Sequence, residues 1–254
     1  MQRHAAQTAS TAPDLVLIHG WGMHGGVWQS LISKLIPNFN VHVLDLPGMG
    51  FSPPLAESGT QALAEQVAQH LPEKADICGW SLGGQVAMRI ALLQPQRVRR
   101  LVLVGATPCF VNSDDWQQGM EAKVFEKFAS QIGENYQSTL IKFLSLQCMG
   151  ASDARVTIKQ LRESLAERPL PALGALENAL RLLLETDLRA EINQLKLPVL
   201  LMHGDRDTLA PLSAAQWLAQ HLPASRLQVF AGASHAPFLS HSETFVAALI
   251  EFLK

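Results

Sequence analysis

The sequence predicts an α/β fold in which helices flank a mostly parallel, doubly wound sheet. Short apolar runs rich in β-branched residues occur at 15–19, 41–45, 75–80, 101–105, 198–203 and 227–230. Continuous rather than alternating apolarity is typical of strands that are buried on both faces. Segments with helical spacing of apolar residues lie between these runs, at 63–70, 82–93, 214–221 and 243–253. Strands that alternate with helices in this way favour parallel pairing.

The alternation of strands and helices stops between residues 110 and 184. This stretch has no strand-like run, and its apolar residues follow helical spacing at 116–132, 136–146, 153–166 and 171–184. Glycine and proline separate these segments. We therefore predict one core, built from residues 1–109 and 185–254, and a helical lid insertion formed by residues 110–184.

Composition excludes several classes of protein. The chain has 254 residues, of which 48% are hydrophobic and 17% are charged, so it is too apolar to be disordered and long enough for a full core. A net charge of −2 favours neither nucleic acid nor an anionic membrane as a partner. The three cysteines form no disulfide or zinc pattern, and the polar first twelve residues lack a signal-peptide core. We expect a cytoplasmic monomer with reduced thiols.

The segment Gly79-Trp80-Ser81-Leu82-Gly83 follows a strand-like run and precedes a helix-like one. This is the context that the G-x-S-x-G motif requires, because the serine occupies a tight turn from strand to helix. The flanking glycines leave room where a Cβ atom would collide. The simpler alternative is a glycine-rich turn with a capping serine. The flanking pattern and the partner residues favour Ser81 as a nucleophile in an α/β-hydrolase fold.

A serine nucleophile needs a histidine base that a carboxylate orients, and in this fold the chain order is Ser, Asp or Glu, then His. Asp205 and Asp207 follow the strand-like run at 198–203, and His235 follows the last strand-like run. Both loops belong to the carboxyl edge of the predicted sheet, where such folds place their sites. Asp205 comes first after a glycine and is typical of a turn residue, so we favour Asp207 as the acid and His235 as the base.

The tetrahedral oxyanion of acyl transfer needs preorganised hydrogen-bond donors. One candidate is the backbone N–H of Leu82, directly after the nucleophile. The second is the backbone N–H of Trp21, in the glycine-rich loop that follows the first strand-like run. A plain glycine turn is the alternative for that loop. A metal site is not expected, since the histidines show no ligand spacing, and the mechanism requires no cofactor.

Several segments together resemble the pimeloyl-[acyl-carrier-protein] methyl ester esterases of biotin synthesis. They are LVLIHGWGMHGGVW, DLPGMGFS, GWSLGGQVA, TPCF, FLSLQCMG, DLR and GASHAPFLSHSE, and the resemblance runs from about residue 14 to the C-terminus. It implies an esterase that acts on an acyl-carrier protein bearing the pimeloyl methyl ester. It places the triad on Ser81, Asp207 and His235 and the substrate-contacting backbone positions on Trp21 and Leu82. It assigns the acyl site to Phe143, Leu144, Ser145, Leu146 and Gln147.

The resemblance also implies that basic residues of the insertion bind the acidic carrier protein. Lys142, Arg155 and Lys159 occupy matching positions, whereas Ser138 stands where a further basic residue is expected. Independently, Arg155, Lys159 and Arg162 have the spacing of one helix face. Such a stripe can steer an acidic partner, and a solvated helix face is the alternative.

Three other functions are compatible with parts of the pattern. A general short-chain carboxylesterase and a carbon–carbon bond hydrolase would use the same fold and triad. A non-catalytic binding protein of this fold would not need an intact triad, so the set Ser81, Asp207 and His235 argues against it.

Overall fold

The structure is a computed structural model that describes residues 1–5, 12–55, 59–151 and 153–254. Parts of the polar N-terminal segment and one residue of the predicted insertion, at 6–11 and 152, lie outside the described residues. The seven strands are β1 (Gln2–His4), β2 (Asp14–Ile18), β3 (Asn40–Leu44), β4 (Ala75–Trp80), β5 (Val98–Val104), β6 (Val199–Gly204) and β7 (Ser225–Phe230).

These strands form one sheet in the order β1-β3-β2-β4-β5-β6-β7. Every neighbouring pair of strands between β3 and β7 in this order is parallel, which confirms the predicted mostly parallel sheet. Strands β3, β4 and β6 are buried along their whole length. Strand β1 was not predicted. It pairs antiparallel with β3 at the edge of the sheet, and its three polar residues carry no apolar signal.

Nine α-helices occur in the described residues: α1 (Gln29–Leu35), α2 (Thr60–Gln69), α3 (Leu82–Leu93), α4 (Ala122–Gln147), α5 (Ala154–Ala166), α6 (Leu173–Glu185), α7 (Leu212–His221), α8 (Pro237–Ser240) and α9 (Ser242–Leu253). Short 3₁₀ helices occupy Gly25–Trp28, Pro95–Arg97 and Ile192–Gln194. Helix α3 has the predicted bounds. The short helices α1 and α8 were missed, because fewer than two turns give little periodicity.

Helices α4, α5 and α6 lie between β5 and β6 in the chain. The predicted helix start at Trp116 is wrong, because Ser113 and Trp116 pair as an isolated bridge and the helix begins six residues later. Helix α4 has two arms, since Asn135 has non-helical φ −153° and ψ 80°. The Asn135 side chain accepts the N–H of Ser138 at 3.0 Å, as the N-cap of a second helix does. The break that Gly133 suggested therefore falls two residues later.

Buried contacts attach this insertion to the core. Arg168, just after α5, donates to the Asp45 carboxylate at 2.6 Å, and both side chains are less than 10% exposed. The indole of Trp21 donates to the Leu176 carbonyl of α6 at 3.0 Å. The insertion consequently packs over the loops at the carboxyl ends of β2 and β3, where the candidate site lies.

Candidate active site

Ser81 occupies the sharp turn between β4 and α3. Its φ of 56° and ψ of −119° make it the one non-glycine residue with positive φ among the residues that the structure describes. Such a conformation costs about 1–3 kcal/mol and is characteristic of functional sites. The turn is held by the Ser81 N–H, which donates to the Val104 carbonyl at 2.9 Å.

The two flanking glycines are required by close backbone contacts. A Cβ atom on Gly79 would lie 2.3 Å from the Gly83 carbonyl oxygen. A Cβ atom on Gly83 would lie 2.5 Å from the carbonyl oxygens of Ile18 and His19. Since real Cβ atoms do not approach other heavy atoms so closely, the strand-to-helix turn can form only with glycine at both positions.

The structure places His235 against Asp207. The Nδ1 atom of His235 lies 2.8 Å from Asp207 Oδ2, and both side chains are fully buried. Because a carboxylate only accepts hydrogen bonds, Nδ1 carries a proton, and in the neutral imidazole the lone pair is on Nε2. The other carboxylate oxygen accepts the N–H groups of Leu209 and Ala210 at 2.9 Å each. Asp207 is thereby held in the orientation that a catalytic acid requires.

Asp205 has a different environment. Its carboxylate accepts the Gly232 N–H at 2.7 Å and so joins the loop after β6 to the loop after β7. Its side chain is 33% exposed, whereas that of Asp207 is fully buried. The geometry assigns Asp205 to the turn and Asp207 to the histidine.

The proposed nucleophile and base are both available in this structure. Ser81 Oγ and His235 Nε2 are buried, and neither has a hydrogen-bond partner among the described residues. Hydrogen bonds between catalytic groups are often long before substrate binds. Both atoms are therefore free of competing hydrogen bonds from the described residues.

Three residues outside the predicted triad position His235. Trp80 donates from its indole N–H to the His235 carbonyl at 2.8 Å, and the His235 N–H donates to the Gln147 carbonyl at 3.1 Å. A Cβ atom on Gly105, which follows β5 directly and has φ 50°, would lie 3.0 Å from His235 Nδ1. The sequence gives no signal for this role of Gly105, because Gly105 and His235 are 130 positions apart in the chain.

The candidate oxyanion donors lie beside the nucleophile. Leu82 begins α3, so its N–H belongs to the orphan donors of the helix N-terminus. Trp21 lies in a turn that the Met23 N–H closes on the Gly20 carbonyl at 3.3 Å. A Cβ atom on Gly20 would lie 3.1 Å from the Ser81 Cβ. The Trp21 loop therefore runs against the nucleophile, as an oxyanion hole requires.

The five residues from 143 to 147 do not share one environment. Phe143, Leu144 and Gln147 are buried, and the Phe143 ring lies 4.5 Å from the ring of Trp21. Ser145 is exposed, and its hydroxyl donates to the Ile141 carbonyl on the outer side of α4. Since five successive helical residues cover more than one turn, they cannot all line one cavity. The Ser145 side chain therefore faces away from the buried side of α4, and the assignment of the stretch to an acyl site stays a prediction.

The predicted docking residues lie on two surface depressions. Arg155, Lys159 and Arg162 are exposed along one side of α5, where Lys159 is 3.7 Å from Glu163. Lys142 is exposed on the second arm of α4, in a depression that it shares with Lys123 and Lys127. The two additional lysines escaped the sequence reasoning, because they are far from Lys142 in the chain and the kink of α4 brings them together.

The loops after β2 and β3 contribute one buried polar group each, His19 and Asp45. His19 Nδ1 donates to the Gly20 carbonyl at 2.8 Å and Nε2 accepts the Leu46 N–H at 2.9 Å, which requires the neutral form. Burial lowers the pKa of His19 to about 4. Burial raises the pKa of Asp45, but hydrogen bonds from Phe51, Gly25 and Arg168 outweigh it and hold that pKa below its ordinary value.

In the described ranges, no group of three His, Cys, Asp or Glu side chains is arranged to hold a metal ion. Over the same ranges, none of the helices combines the length and the apolarity needed to cross a bilayer.

Known proteins resemble the chain in both sequence and structure. A profile of the alpha/beta hydrolase fold matches residues 13–242. The pimeloyl-[acyl-carrier protein] methyl ester esterase of Nitrosomonas europaea is 45% identical over 241 residues, covering 95% of this chain and 96% of the relative. The esterase of the same name from Photobacterium profundum is 44% identical and covers 98% of this chain and 97% of the relative.

Solved structures agree on the fold. An esterase from Exiguobacterium antarcticum has a TM-score of 0.87 at 20% identity and covers 99% of this chain and 93% of that protein. MenH from S. aureus has a TM-score of 0.81 at 19% identity, over 99% of this chain and 97% of that protein. Because the sequence relatives match nearly end to end and the fold profile spans the core, the chain belongs to the α/β-hydrolase family and, within it, to the pimeloyl-[acyl-carrier protein] methyl ester esterases.

Proposed function

We propose that this chain hydrolyses the methyl ester of pimeloyl-[acyl-carrier protein], with Ser81, His235 and Asp207 as its catalytic residues. The observation that carries the proposal is the buried hydrogen bond of 2.8 Å between His235 and Asp207, in a chain with an unoccupied, strained Ser81. The substrate follows from the curated relatives, which bear the name of this activity at up to 45% identity. The chain is a serine hydrolase.

The proposed reaction needs no group beyond the chain, the ester and water. Ser81 Oγ attacks the ester carbonyl while His235 Nε2 takes its proton. The N–H groups of Leu82 and Trp21 stabilise the oxyanion. The ester C–O bond breaks and methanol leaves with the proton from His235. Water, activated by His235, then releases the free carboxylate from the acyl-enzyme.

The insertion of residues 110–184 acts as a lid in this proposal. Its α4 segment supplies the Gln147 carbonyl that holds the N–H of His235, so the lid and the base are in direct contact. The exposed cations Lys142, Arg155 and Lys159 bind the acidic carrier protein by charge complementarity. The chain functions as a monomer, and neither nucleic acid nor a membrane takes part.

The decisive experiment measures release of methanol from carrier-bound pimeloyl methyl ester by the purified protein. We expect turnover by the wild type and a loss of about 10⁶-fold in kcat for Ser81→Ala, as removal of a serine nucleophile produces. Complementation of a biotin auxotroph that lacks this esterase should require Ser81. Turnover of short soluble esters with none of the carrier-bound ester would favour a general carboxylesterase instead.

Charge reversal tests the docking residues separately. Arg155→Glu with Lys159→Glu should raise KM for the carrier-bound ester and weaken its salt dependence, while a small soluble ester keeps its kcat/KM. The matched control reverses the charges of Lys74 and Lys196, two exposed lysines that precede β4 and β6. They lie at the amino ends of these strands, and the site lies at the carboxyl ends. Equal effects of the two double variants on the carrier-bound ester would contradict the docking role.

A further inference from the structure

A second buried histidine lies beside the proposed catalytic acid. His203 is the penultimate residue of β6, and its side chain is 1% exposed. Its Nε2 atom lies 2.6 Å from the Ala210 carbonyl oxygen and 3.6 Å from Asp207 Oδ2. The proposed reaction uses Asp207 and leaves this imidazole without a role.

His203 is a hydrogen-bond donor in this arrangement. A carbonyl oxygen only accepts hydrogen bonds, so the contact with Ala210 requires a proton on His203 Nε2. Burial, which is the largest effect, lowers the pKa of His203, and the nearby Asp207 carboxylate only partly opposes it. The ring is therefore neutral at pH 7 and does not place a second cation beside Asp207.

Ala210 connects the imidazole of His203 with the carboxylate of Asp207. Its carbonyl accepts the hydrogen bond from His203, and its N–H donates to Asp207 Oδ1 at 2.9 Å. The Leu209 N–H donates to the same oxygen at 2.9 Å. Ala210 is fully buried, so bulk water does not offer its carbonyl a second partner. The position of the loop at 207–210 consequently depends on His203.

The two oxygens of the Asp207 carboxylate have separate tasks. Oδ1 accepts the two loop N–H groups, and Oδ2 accepts the proton of His235 Nδ1 at 2.8 Å. The 3.6 Å between His203 Nε2 and Oδ2 is too long for a hydrogen bond, so the two histidines do not compete for this oxygen. A shift of the loop would turn the carboxylate and lengthen the bond from Oδ2 to His235.

We propose that His203 is a positioning residue of the esterase reaction. By donating to the Ala210 carbonyl, it holds the loop that orients Asp207. Asp207 in turn holds His235 in the tautomer that accepts the proton of Ser81. His203 neither contacts the reacting atoms nor transfers a proton itself. The inference rests on the proposed function, because Asp207 contributes to turnover only through His235.

Two substitutions at position 203 separate the hydrogen-bond donor from the ring. His203→Phe keeps a planar ring and removes the N–H group, which leaves the buried Ala210 carbonyl without a partner. His203→Gln retains an N–H donor at the end of the side chain and is the conservative variant. The matched control is His221→Phe. His221 is exposed at the end of α7, and its Nδ1 atom lies 2.8 Å from the Trp217 carbonyl oxygen.

The measurement is kcat and KM at pH 7 for the carrier-bound pimeloyl methyl ester and for p-nitrophenyl acetate. We expect His203→Phe to lower kcat on both esters by about tenfold, with KM within about twofold of wild type, because the loss acts on the acid and not on substrate binding. His203→Gln should recover most of this loss, and His221→Phe should keep the wild-type kcat. Thermal unfolding checks that the variants fold.

A double-mutant cycle with Asp207→Ala separates positioning from a general loss of structure. In the Asp207→Ala background the carboxylate is absent, so His203→Phe should change the residual kcat by less than about twofold. Imidazole ¹⁵N NMR of the wild type is a second test that needs no variant. It should show His203 as the neutral tautomer with its proton on Nε2 at pH 7.

The positioning role would be overturned by a folded His203→Phe with wild-type kcat, by a loss as large in His203→Gln, or by equal losses in both backgrounds of the cycle. A wild-type His203 with its proton on Nδ1 would equally overturn it. Failure of the proposed function looks different, since the wild type would then leave the carrier-bound ester intact. The NMR tautomer and the cycle on p-nitrophenyl acetate would still decide the role of His203.

Discussion

The residues of the proposed triad are held by contacts with distant parts of the chain. Asp207 and His235 are 28 positions apart and meet at 2.8 Å in a fully buried pair. A buried carboxylate without its partners would be costly, and here two backbone N–H groups and the imidazole satisfy it. The residue that looks equivalent in the sequence, Asp205, is exposed and holds a turn.

Replacement of the two aspartates should separate these roles. Asp207→Ala leaves His235 without its acceptor and should lower kcat by about 10⁴-fold. Asp205→Ala removes one hydrogen bond to Gly232 and should cost about 1 kcal/mol of unfolding free energy with little effect on kcat. Ester kinetics and urea unfolding measure the two effects, and the reverse pattern would exchange the assignments.

His19 should make the stability of the protein depend on pH. Its pKa is about 4 in the folded chain against 6.5 for an ordinary histidine, so between these values the unfolded chain binds the extra proton. Stability therefore falls as the pH falls from 6.5 towards 4, by up to about 1.4 kcal/mol per pH unit. Burial also lowers the pKa of His203, which acts in the same direction.

The His19→Gln variant tests this effect. Urea unfolding at pH 7, 6 and 5 should show a weaker pH dependence than the wild type, by about 1 kcal/mol per pH unit. His70→Gln, at an exposed position after α2, is the control and should keep the wild-type slope. Equal slopes for wild type and His19→Gln would contradict the assignment of the proton to this residue.

At the scale of elements, the turn from β4 to α3 sets the position of Ser81, the proposed nucleophile. The serine is lifted above the sheet because α3 must start immediately after β4, and the glycines on either side allow the required backbone contacts. Helix α4 shows the limit of motif reasoning. A matching stretch of sequence, 143–147, runs around more than one helical turn and so faces several environments.

Gly83→Ala tests the turn. The added Cβ atom would lie 2.5 Å from two carbonyl oxygens of the β2 end, so the turn must shift. We expect a loss of about 1–3 kcal/mol in unfolding free energy and a fall in kcat that exceeds the effect on KM. Gly133→Ala is the control, because its Cβ meets open space and alanine favours the helix. A Gly83→Ala variant with wild-type kcat would show that the turn tolerates a side chain.

At the scale of the whole molecule, the insertion and the core are joined by buried polar groups. The hydrogen-bond partners of these groups come from both parts of the chain. The buried ion pair between Arg168 and Asp45 is the clearest case, since Asp45 also accepts the N–H groups of Gly25 and Phe51. The carboxylate thus connects the loops after β2 and β3 with the chain that follows α5. Loss of Arg168 leaves the buried Asp45 carboxylate without its cation, with only the two backbone N–H groups as partners.

Arg168→Met should destabilise the protein by about 3 kcal/mol, because breaking a buried pair costs more than breaking an exposed one. Arg181→Met is the matched control within the insertion, since the Arg181–Glu185 pair is about half exposed and should contribute at most about 1 kcal/mol. Adding Asp45→Asn to Arg168→Met should recover part of the loss. Urea unfolding measures all three, and equal effects of the two arginine variants would contradict the buried pair as an anchor.

Local patterns in the sequence sufficed for the α/β class, for six of the seven strands in the described residues and for a helical stretch between β5 and β6. They also singled out Ser81 and His235 and favoured Asp207 over Asp205, because strand ends and glycine turns are local signals of a parallel sheet. Tertiary structure decided which aspartate meets His235, and that Gly105 and Trp80 hold it. The physical reason is that contacts between distant segments are properties of packing, which no local pattern encodes.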